Sequence, residues 1–219
     1  PMAAAAAALR AAALVGNPNA GKTSLFNALT GARQKVGNYP GVTVERKQGR
    51  LCLPDGRAID VIDLPGAYSL EPRSPDEAVT RDMVLGLRVG ERRPDAIVAV
   101  VDATNLANHL RFVLELKRLG LPMIVALNMV DLAERDGLRF DIAALSLRLG
   151  LPVVPTVAVR KRGLADLATE LAPLLARAPT LAVAATSDRI ADLRALQREA
   201  AAIARAATIG EGGAARATR

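Results

Sequence analysis

The stretch Ala11-Ala12-Ala13-Leu14-Val15-Gly16-Asn17-Pro18-Asn19-Ala20-Gly21-Lys22-Thr23 decides the fold of this 219-residue chain. Its first five residues are a short apolar run that predicts a buried strand, and Leu25, Phe26 and Leu29 then recur at helical spacing. The segment between them fits the pattern G-x-x-x-x-G-K-[ST]. In such a loop the backbone N–H groups face phosphate oxygens, and the following helix adds the positive end of its dipole. The stretch therefore predicts a phosphate-binding loop (P-loop) between a strand and a helix.

Two side chains of the P-loop have predicted chemical roles. Lys22 reaches the β- and γ-phosphates of a nucleotide, and the Thr23 hydroxyl is an oxygen ligand of the kind that Mg²⁺ prefers. The alternative is a glycine-rich turn with an incidental lysine, which the flanking strand and helix patterns disfavour. We therefore expect a nucleoside triphosphate with Mg²⁺ at this loop.

Composition limits the interpretation of this site. The hydrophobic content of 51% with 2% aromatic residues indicates a core of Leu, Val, Ile and Ala. No apolar run reaches the roughly 18 residues of a membrane span, and one cysteine, Cys52, cannot form an internal disulfide. The net charge of +7 is compatible with RNA or anionic lipid, but the arginines are scattered and lack the aromatic residues that stack bases. We expect a reducing cytoplasm and no nucleic-acid partner.

Strand and helix patterns alternate along the rest of the chain, as they do in a doubly wound sheet. A hairpin with an Asp-Gly turn joins 44–53 to 58–62, and the glycine-rich segment 33–42 is predicted as a mobile loop. The remaining predicted strands are 96–101, 123–127 and 153–154, and the remaining helices are 106–119, 142–149, 164–175 and about four turns from Pro75. The predicted fold class is α/β: a P-loop NTPase G domain with a mostly parallel six-stranded sheet, one antiparallel edge strand and a C-terminal helical tail.

A second motif follows about forty residues after the P-loop. The sequence Asp63-Leu64-Pro65-Gly66 at a strand end matches the D-x-x-G element of GTPases. Asp63 would hold Mg²⁺ through water, and the Gly66 N–H would sense the γ-phosphate. The alternative, an aspartate that merely opens a loop, is disfavoured by the spacing.

Thr43 is the candidate second Mg²⁺ ligand. The alternative for Thr43 is a threonine that starts an edge strand.

A third motif predicts the base. In Asn128-Met129-Val130-Asp131, which ends a strand, the Asp131 carboxylate can accept the ring N–H and the exocyclic amine of guanine, a donor pair that adenine lacks. The nucleotide should therefore be GTP or GDP. Met129 replaces the usual lysine, and the guanine loop Val157-Ala158-Val159-Arg160 lacks its serine. We expect the base to be held loosely and exchanged fast.

Hydrolysis has to proceed without the usual glutamine, because Ala67 follows the D-x-x-G element. An arginine finger or a monovalent cation can stabilise the charge that builds on the phosphates. The amide oxygen of Asn19 is placed to ligate K⁺, with carbonyl groups of residues 37–41 as further ligands. The alternative is Asn19 as a turn former. We expect slow basal turnover that K⁺ stimulates.

The last segment of the chain differs from the rest. Residues 177–219 are assigned to a short tail, in which 190–207 carries one apolar stripe and the glycines after residue 209 predict a disordered end. The amphipathic helix should dock on its own domain, on a second copy, or on a membrane-proximal segment. The sequence therefore leaves open a homo-oligomer through the G domain or the tail.

Taken together, segments 16–23, 36–47, 63–70 and 128–131 resemble the cytosolic GTPase domain of bacterial ferrous iron transport protein B, over residues 10 to 176. The block Gly-Val-Thr-Val-Glu-Arg-Lys at 41–47 and the N-M-x-D variant are the most specific parts. The resemblance implies that GTP turnover regulates or drives Fe²⁺ uptake through a transmembrane iron-permease region of the same polypeptide, at the cytoplasmic face of the inner membrane. It also implies a helical spacer, which the tail is too short to form in full.

Two other functions were weighed: an RNA-associated G protein of ribosome assembly or tRNA modification, and a nucleotide-gated interaction module with negligible turnover. In the favoured hypothesis the catalytic groups are Asn19, Lys22, Thr43 and Gly66, the Mg²⁺ ligands are Thr23, Thr43 and Asp63, and the K⁺ ligand is Asn19. The nucleotide-contacting residues are Gly16, Asn17, Pro18, Asn19, Ala20, Gly21, Lys22, Thr23, Ser24, Gly41, Val42, Thr43, Val44, Glu45, Asp63, Leu64, Pro65, Gly66, Asn128, Met129, Asp131, Ala158, Val159 and Arg160.

Overall fold

A computed structural model describes residues 9–31, 34–177 and 193–209. The strands within these ranges are β1 (Ala11–Val15), β2 (Gln34–Asn38), β3 (Glu45–Cys52), β4 (Ala58–Asp63), β5 (Ala96–Asp102), β6 (Met123–Asn128), β7 (Arg139–Phe140), β8 (Val153–Pro155) and β9 (Thr208–Ile209). The α-helices are α1 (Lys22–Thr30), α2 (Pro75–Leu85), α3 (Leu106–Lys117), α4 (Val130–Arg135), α5 (Ile142–Leu149), α6 (Leu164–Arg177) and α7 (Leu193–Ala207).

The main sheet has seven strands in the order β2-β3-β4-β1-β5-β6-β8. Strands β4, β1, β5, β6 and β8 are parallel, and β3 runs antiparallel to both of its neighbours. The order of the parallel strands, with β1 between β4 and β5, is that of a doubly wound fold. The predicted α/β fold class with a mostly parallel sheet is therefore confirmed.

The predicted number of strands was wrong, because the segment predicted as a mobile loop contains β2. Strand β2 forms the edge of the sheet and pairs with β3 from Gln34↔Gly49 to Asn38↔Glu45. Most of its residues are exposed on both faces, so it shows no alternation of apolar and polar side chains. Backbone hydrogen bonds to β3 define this strand, and hydropathy patterns do not detect them.

Two apolar layers sandwich the sheet. On one face Ala11, Ala13 and Val15 of β1 pack with α2, α3, α5 and α7, and on the other face Ala12 and Leu14 pack with α1 and α6. Alternate residues of a strand point to opposite faces, so a strand covered on both sides is apolar throughout. This explains why β1, β5 and β6 read as continuous apolar runs.

Local signals define where α2 begins. The Ser74 hydroxyl accepts a hydrogen bond from the Glu77 backbone N–H (3.2 Å), and Pro75 occupies the first helical position. Serine at the N-cap and proline at the first position are preferred at the start of a helix, and of these only the start at Pro75 was predicted from the sequence. The helix follows the D-x-x-G element, so its start limits the length of that loop.

Helix α7 packs against α3 and α5, and its residues Leu196, Ala200 and Ile203 belong to the apolar layer on that face. The Asp141 N–H donates to the Ala207 carbonyl (2.8 Å), and β9 pairs with the short strand β7. Of the three docking sites left open by the sequence, the structure therefore shows the chain's own domain. Ile190 and the glycines after residue 209 lie outside the described residues.

None of the helices within the described ranges has the length and apolarity to cross a membrane.

Candidate functional site

The candidate site lies at the carboxyl edge of the parallel strands. The P-loop follows β1, Asp63 ends β4, Asn128 ends β6, and the segment Ala158–Arg160 follows β8 as a 3-10 turn. Ligands of open α/β sheets bind outside this edge. The structure thus brings together the three motifs found in the sequence.

Close packing explains both glycines that bound the P-loop. A Cβ atom on Gly16 would lie 2.3 Å from the Val100 carbonyl oxygen, and one on Gly21 would lie 2.3 Å from the Asn128 Nδ2 atom. Gly21 also has a φ of +84°, which side chains disfavour. Asn19 has a φ of +64°, is exposed, and makes no side-chain hydrogen bond within the described ranges. Its backbone angle fits the turn-former interpretation, while its free amide also leaves it available to a ligand.

Lys22 is buried at the first turn of α1, with 7% of its surface exposed. Its Nζ atom donates to the Asn17 carbonyl oxygen (3.0 Å). Burial lowers the pKa of the Lys22 ammonium, and the nearby Asp63 carboxylate opposes this shift. A buried cation with one neutral partner gains from an anionic ligand, as the phosphate prediction requires.

Thr23 and Asp63 form the candidate metal site. The Thr23 hydroxyl donates to Asp63 Oδ2 (2.9 Å), and the buried Oδ1 atom has no hydrogen-bond partner within the described residues. Burial raises the pKa of the Asp63 carboxyl, opposed by the Thr23 hydrogen bond and the charge of Lys22. An orphaned carboxylate oxygen beside a hydroxyl fits a hard cation such as Mg²⁺. Thr43 lines the same cavity of about 260 Å³, together with Lys22, Thr23, Asp63 and Gly66.

The D-x-x-G loop packs directly on the P-loop. The Ala67 N–H donates to the Gly16 carbonyl (3.2 Å), and a Cβ atom on Gly66 would lie 3.0 Å from Pro18 Cα. Thr80 on α2 donates to the Pro65 carbonyl (2.7 Å). The Ala67 side chain is completely buried, so it points into the core and away from the cavity.

The loop that carries Thr43 is anchored by Tyr39, a residue that was not singled out. Tyr39 is buried, its N–H donates to the Val44 carbonyl (2.9 Å), and its carbonyl accepts from the Val42 N–H (3.3 Å). Arg88 donates to the Pro40 carbonyl (2.5 Å). Residues 37–41 are not a loop throughout, because Gly37 and Asn38 belong to β2, and K⁺ ligation by carbonyls of this segment stays a prediction. The Tyr39 and Pro40 carbonyls already accept hydrogen bonds.

Asn128 joins the P-loop to the guanine loop. Its Nδ2 donates to the Ala20 carbonyl (3.1 Å), and its Oδ1 accepts from the Ala158 N–H (3.1 Å) and the Thr156 hydroxyl (3.3 Å). The fully buried Thr156 was missed, since a threonine at a strand end carries no distinctive pattern. The Asn128 side chain therefore links the P-loop to the guanine loop through hydrogen bonds.

Asp131 lies in the first turn of α4, and its Oδ2 atom is 3.6 Å from the Arg160 Nε atom. Arg160 is 73% exposed and Asp131 18% exposed in this ion pair. Met129 has a φ of +61° and points its methyl group toward Gly21 of the P-loop. Val159 is 80% exposed. The Asp131 carboxylate thus lies at this end of the site, in contact with an exposed guanidinium.

The remaining predicted residues lie around the same edge. Ser24 is exposed on the first turn of α1, Gly41 is exposed with a φ of +75°, and Glu45 starts β3. Val44 and Leu64 are buried, and their side chains belong to the core layer that supports the two loops.

Comparisons with known proteins agree with this geometry. The family model described as ferrous iron transport protein B matches residues 10–171. The chain is 51% identical over 155 residues to the Fe(2+) transporter FeoB of Salmonella typhimurium, covering 69% of this chain and 19% of that protein. An Fe(2+) transport protein A/Fe(2+) transporter FeoB fusion protein of Porphyromonas gingivalis is 50% identical, with 71% of this chain and 18% of that one covered. The chain spans about a fifth of the length of these curated relatives.

Solved structures are similar as well. The cytosolic domain of L. pneumophila FeoB is 44% identical with a TM-score of 0.69, covering 75% of this chain and 68% of that one. The cytosolic domain of the T. maritima FeoB iron transporter in its GMPPNP form is 41% identical with a TM-score of 0.70, at coverages of 75% and 63%. A mutant of S. thermophilus NFeoB bound to GDP is 43% identical with a TM-score of 0.67, at coverages of 80% and 64%.

Proposed function

This chain belongs to the ferrous iron transport protein B family, and from that premise we propose that it binds GTP with Mg²⁺ and hydrolyses it to GDP and phosphate. The observation that carries the proposal is the single cavity that Lys22, Thr23, Thr43, Asp63 and Gly66 share. GDP and GMPPNP bound to the similar S. thermophilus and T. maritima proteins support the nucleotide class.

Each of these groups has a part in phosphoryl transfer. Mg²⁺, when bound, neutralises charge on the β- and γ-phosphates, and Thr23, Thr43 and Asp63 would hold it. Lys22 exchanges its contact with the Asn17 carbonyl for phosphate oxygens, which relieves the cost of its burial. The Gly66 N–H faces the γ-phosphate, so the D-x-x-G loop responds to its presence.

The base is selected by Asp131, which accepts hydrogen bonds from guanine once Arg160 moves aside. Backbone N–H groups of Ala158 to Arg160 would complete the guanine loop in place of a serine hydroxyl. The Ala158 N–H donates to Asn128 Oδ1 (3.1 Å) and the Arg160 N–H to the Val157 carbonyl (3.0 Å), so these two groups would have to exchange those bonds for the base. Because Arg160 competes for the carboxylate and no serine is present, the nucleotide is exchanged fast.

Hydrolysis is slow and is stimulated by K⁺. The buried Ala67 cannot orient a water molecule, so another group has to stabilise the transition state. K⁺, when bound, adds positive charge beside the β–γ bridge, and the free amide oxygen of Asn19 would ligate it. The Tyr39 and Pro40 carbonyls each accept one hydrogen bond and keep a second lone pair, with which either could serve as a further ligand.

The test compares GTP hydrolysis in K⁺ and in Na⁺ at matched ionic strength, for wild-type protein and for Asn19→Ala. We expect K⁺ to raise the wild-type rate by at least about tenfold, which is ~1.4 kcal/mol of transition-state stabilisation. Asn19→Ala should lose this stimulation and keep its affinity for GDP in Na⁺. Asn27→Ala, an exposed asparagine on α1, is the matched control and should respond like the wild type. Equal wild-type rates in both salts would refute the role of K⁺.

In the whole protein, this domain acts as the nucleotide-responsive part of a ferrous iron transporter. Residues 1–176 form the G domain and 177–219 the tail, at the cytoplasmic face of the inner membrane, with the iron-permease region in the same polypeptide. The much longer relatives support this arrangement. The full-length protein with Lys22→Ala should lose Fe²⁺ uptake in cells, and uptake at the wild-type level would contradict the coupling to transport.

A further inference from the structure

Three consecutive residues after the D-x-x-G element are held by side chains of α3. The Glu115 Oε1 atom accepts from the Ser69 hydroxyl (3.0 Å) and from the Leu70 N–H (2.8 Å). Arg111, one turn earlier on the same helix, donates to the Tyr68 carbonyl (2.6 Å). Helix α3 therefore fixes the position of this loop through polar contacts rather than through apolar packing alone.

These contacts bracket Gly66. On its amino-terminal side Thr80 holds the Pro65 carbonyl, and the Ala67 N–H bonds to the Gly16 carbonyl immediately after it. The next contacts along the chain are those of α3. The position of the Gly66 N–H in the cavity wall thus depends on Thr80 before it. After it, the position depends on the bond from Ala67 to Gly16 and on the contacts with α3.

A buried carboxylate is a costly way to fix a loop. Glu115 is 7% exposed, its Oε2 atom has no hydrogen-bond partner within the described residues, and Arg111 is 3.9 Å away. Burial raises the pKa of the Glu115 carboxyl, and the hydrogen bonds from Leu70 and Ser69 oppose the shift. Since an apolar residue would fill the space without the desolvation cost, the hydrogen bonds to the loop are what this side chain contributes.

We propose that Glu115 is a positioning residue for GTP hydrolysis, which keeps Ser69 and Leu70 on α3 so that the Gly66 N–H meets the γ-phosphate. The inference rests on the proposed function. It places the requirement for a rigid D-x-x-G loop on a helix whose residues do not line the cavity. GDP has no γ-phosphate, so its affinity should not depend on Glu115.

The experiment measures single-turnover GTP hydrolysis and GDP affinity in Glu115→Leu and Glu115→Gln. We expect Glu115→Leu to lower the rate about tenfold and to leave GDP affinity within about twofold, because both loop donors, the Ser69 hydroxyl and the Leu70 N–H, lose their shared acceptor. In Glu115→Gln the amide oxygen can accept both bonds, so the rate should stay within about threefold of the wild type. Ser69→Ala removes one donor from a partly exposed loop and should give an intermediate rate even if Glu115→Leu folds poorly.

Asp95→Leu is the matched control. Asp95 is also a buried carboxylate that accepts a backbone N–H, that of Ala11 (2.8 Å), but it lies at the amino edge of the sheet. We expect this variant to lose thermal stability and to keep the hydrolysis rate. An equal loss of rate in both leucine variants would show that Glu115 acts through stability alone, which overturns the proposal.

A second readout follows the loop itself. The chain has two tyrosines and no tryptophan, so fluorotyrosine labelling gives one ¹⁹F signal from Tyr68 on the loop and one from the buried Tyr39. Glu115→Leu should shift or broaden the Tyr68 signal only, and Asp95→Leu should change neither. A wild-type rate in Glu115→Leu, or a rate in Glu115→Gln as low as in the leucine variant, would also refute the inference. Absence of hydrolysis in the wild-type protein would instead refute the proposed function.

Discussion

At the phosphate end of the site, a backbone loop, a buried lysine and a hydroxyl–carboxylate contact are packed against the core, whereas at the guanine end an exposed arginine touches the selecting carboxylate. Lys22 is 7% exposed, and Gly16 and Gly21 leave no room for a side chain. Arg160 and Val159 are 73% and 80% exposed. On the proposed function, the phosphate half meets its ligand largely preorganised, whereas the guanine half has to rearrange, since Arg160 must leave Asp131.

This difference assigns affinity and exchange to different ends of the nucleotide. Preorganised donors contribute binding energy without an ordering cost, so most of the affinity should come from the phosphates. A base that displaces a solvated ion pair gains less. Mutations at the two ends should therefore differ in how much they change nucleotide affinity. They should also differ in which property they change, the affinity for the phosphates or the choice and exchange of the base.

The largest effect is expected from Lys22→Ala. Removing the buried charge should lower GTP affinity by at least about a hundredfold, or ~2.8 kcal/mol, because a charge-assisted contact to the β- and γ-phosphates is lost. Isothermal titration with a non-hydrolysable GTP analogue measures the change. Lys35→Ala, an exposed lysine on β2, is the control and should bind like the wild type. Equal affinity in the two variants would mean that the phosphate end is not preorganised for its ligand.

An intermediate effect is expected from Asp131→Asn. We expect GTP affinity to fall roughly tenfold to a hundredfold and xanthosine triphosphate to bind better, because the amide donates to the carbonyl that replaces the amine of guanine. Competition between the two nucleotides measures the preference. Asp136→Asn, in which an exposed aspartate just after α4 is changed, should leave it unaltered. Unchanged selectivity in Asp131→Asn would remove this residue from the guanine site.

The smallest effect should come from Arg160→Ala. Breaking its ion pair with Asp131 should speed GDP association and raise GDP affinity by at most about fivefold, since exposed ion pairs contribute ~0–1 kcal/mol. Stopped-flow fluorescence at low and high salt measures the rate of GDP association. The difference between Arg160→Ala and the wild type should vanish near 1 M salt, where the Debye length is ~3 Å. Arg162→Ala is the control, because Arg162 pairs at 3.8 Å with Glu134, which lies on α4 as Asp131 does. Weaker binding in Arg160→Ala would mean that the guanidinium contacts the base instead.

The phosphate end could be predicted from the sequence because its elements are contiguous. The P-loop is eight consecutive residues between a strand and a helix with clear periodicity, and Asp63 to Gly66 follows an apolar strand. Gly16 and Gly21 are fixed by the motif pattern, although their steric reasons, Val100 and Asn128, lie on distant strands. Periodicity and motif spacing therefore reached the correct edge of the sheet.

The motif at the guanine end was found in the sequence, but the contacts that hold it and the loop anchors could not be predicted, because they join distant residues. Asn128 bonds to Ala20, 108 positions away, and Glu115 bonds to Leu70, 45 positions away. The ion pair of Asp131 with Arg160 also crosses two strand ends. Strand β2 was missed for a related reason, since only its pairing with β3 distinguishes it from a loop.

Because α7 packs on α3 but follows it by about 75 residues, a newly synthesised chain exposes the apolar face of α3 before α7 can cover it. Ribosomes add ~5–20 residues per second, so α3 emerges on the order of ten seconds before the residues of α7 that cover it. During that interval the apolar faces of α3 and α5 are open to solvent and to other nascent chains. A gene cut after Ala176 to isolate the nucleotide-binding part would make this exposure permanent, and we expect the shortened protein to aggregate more readily than the longer one.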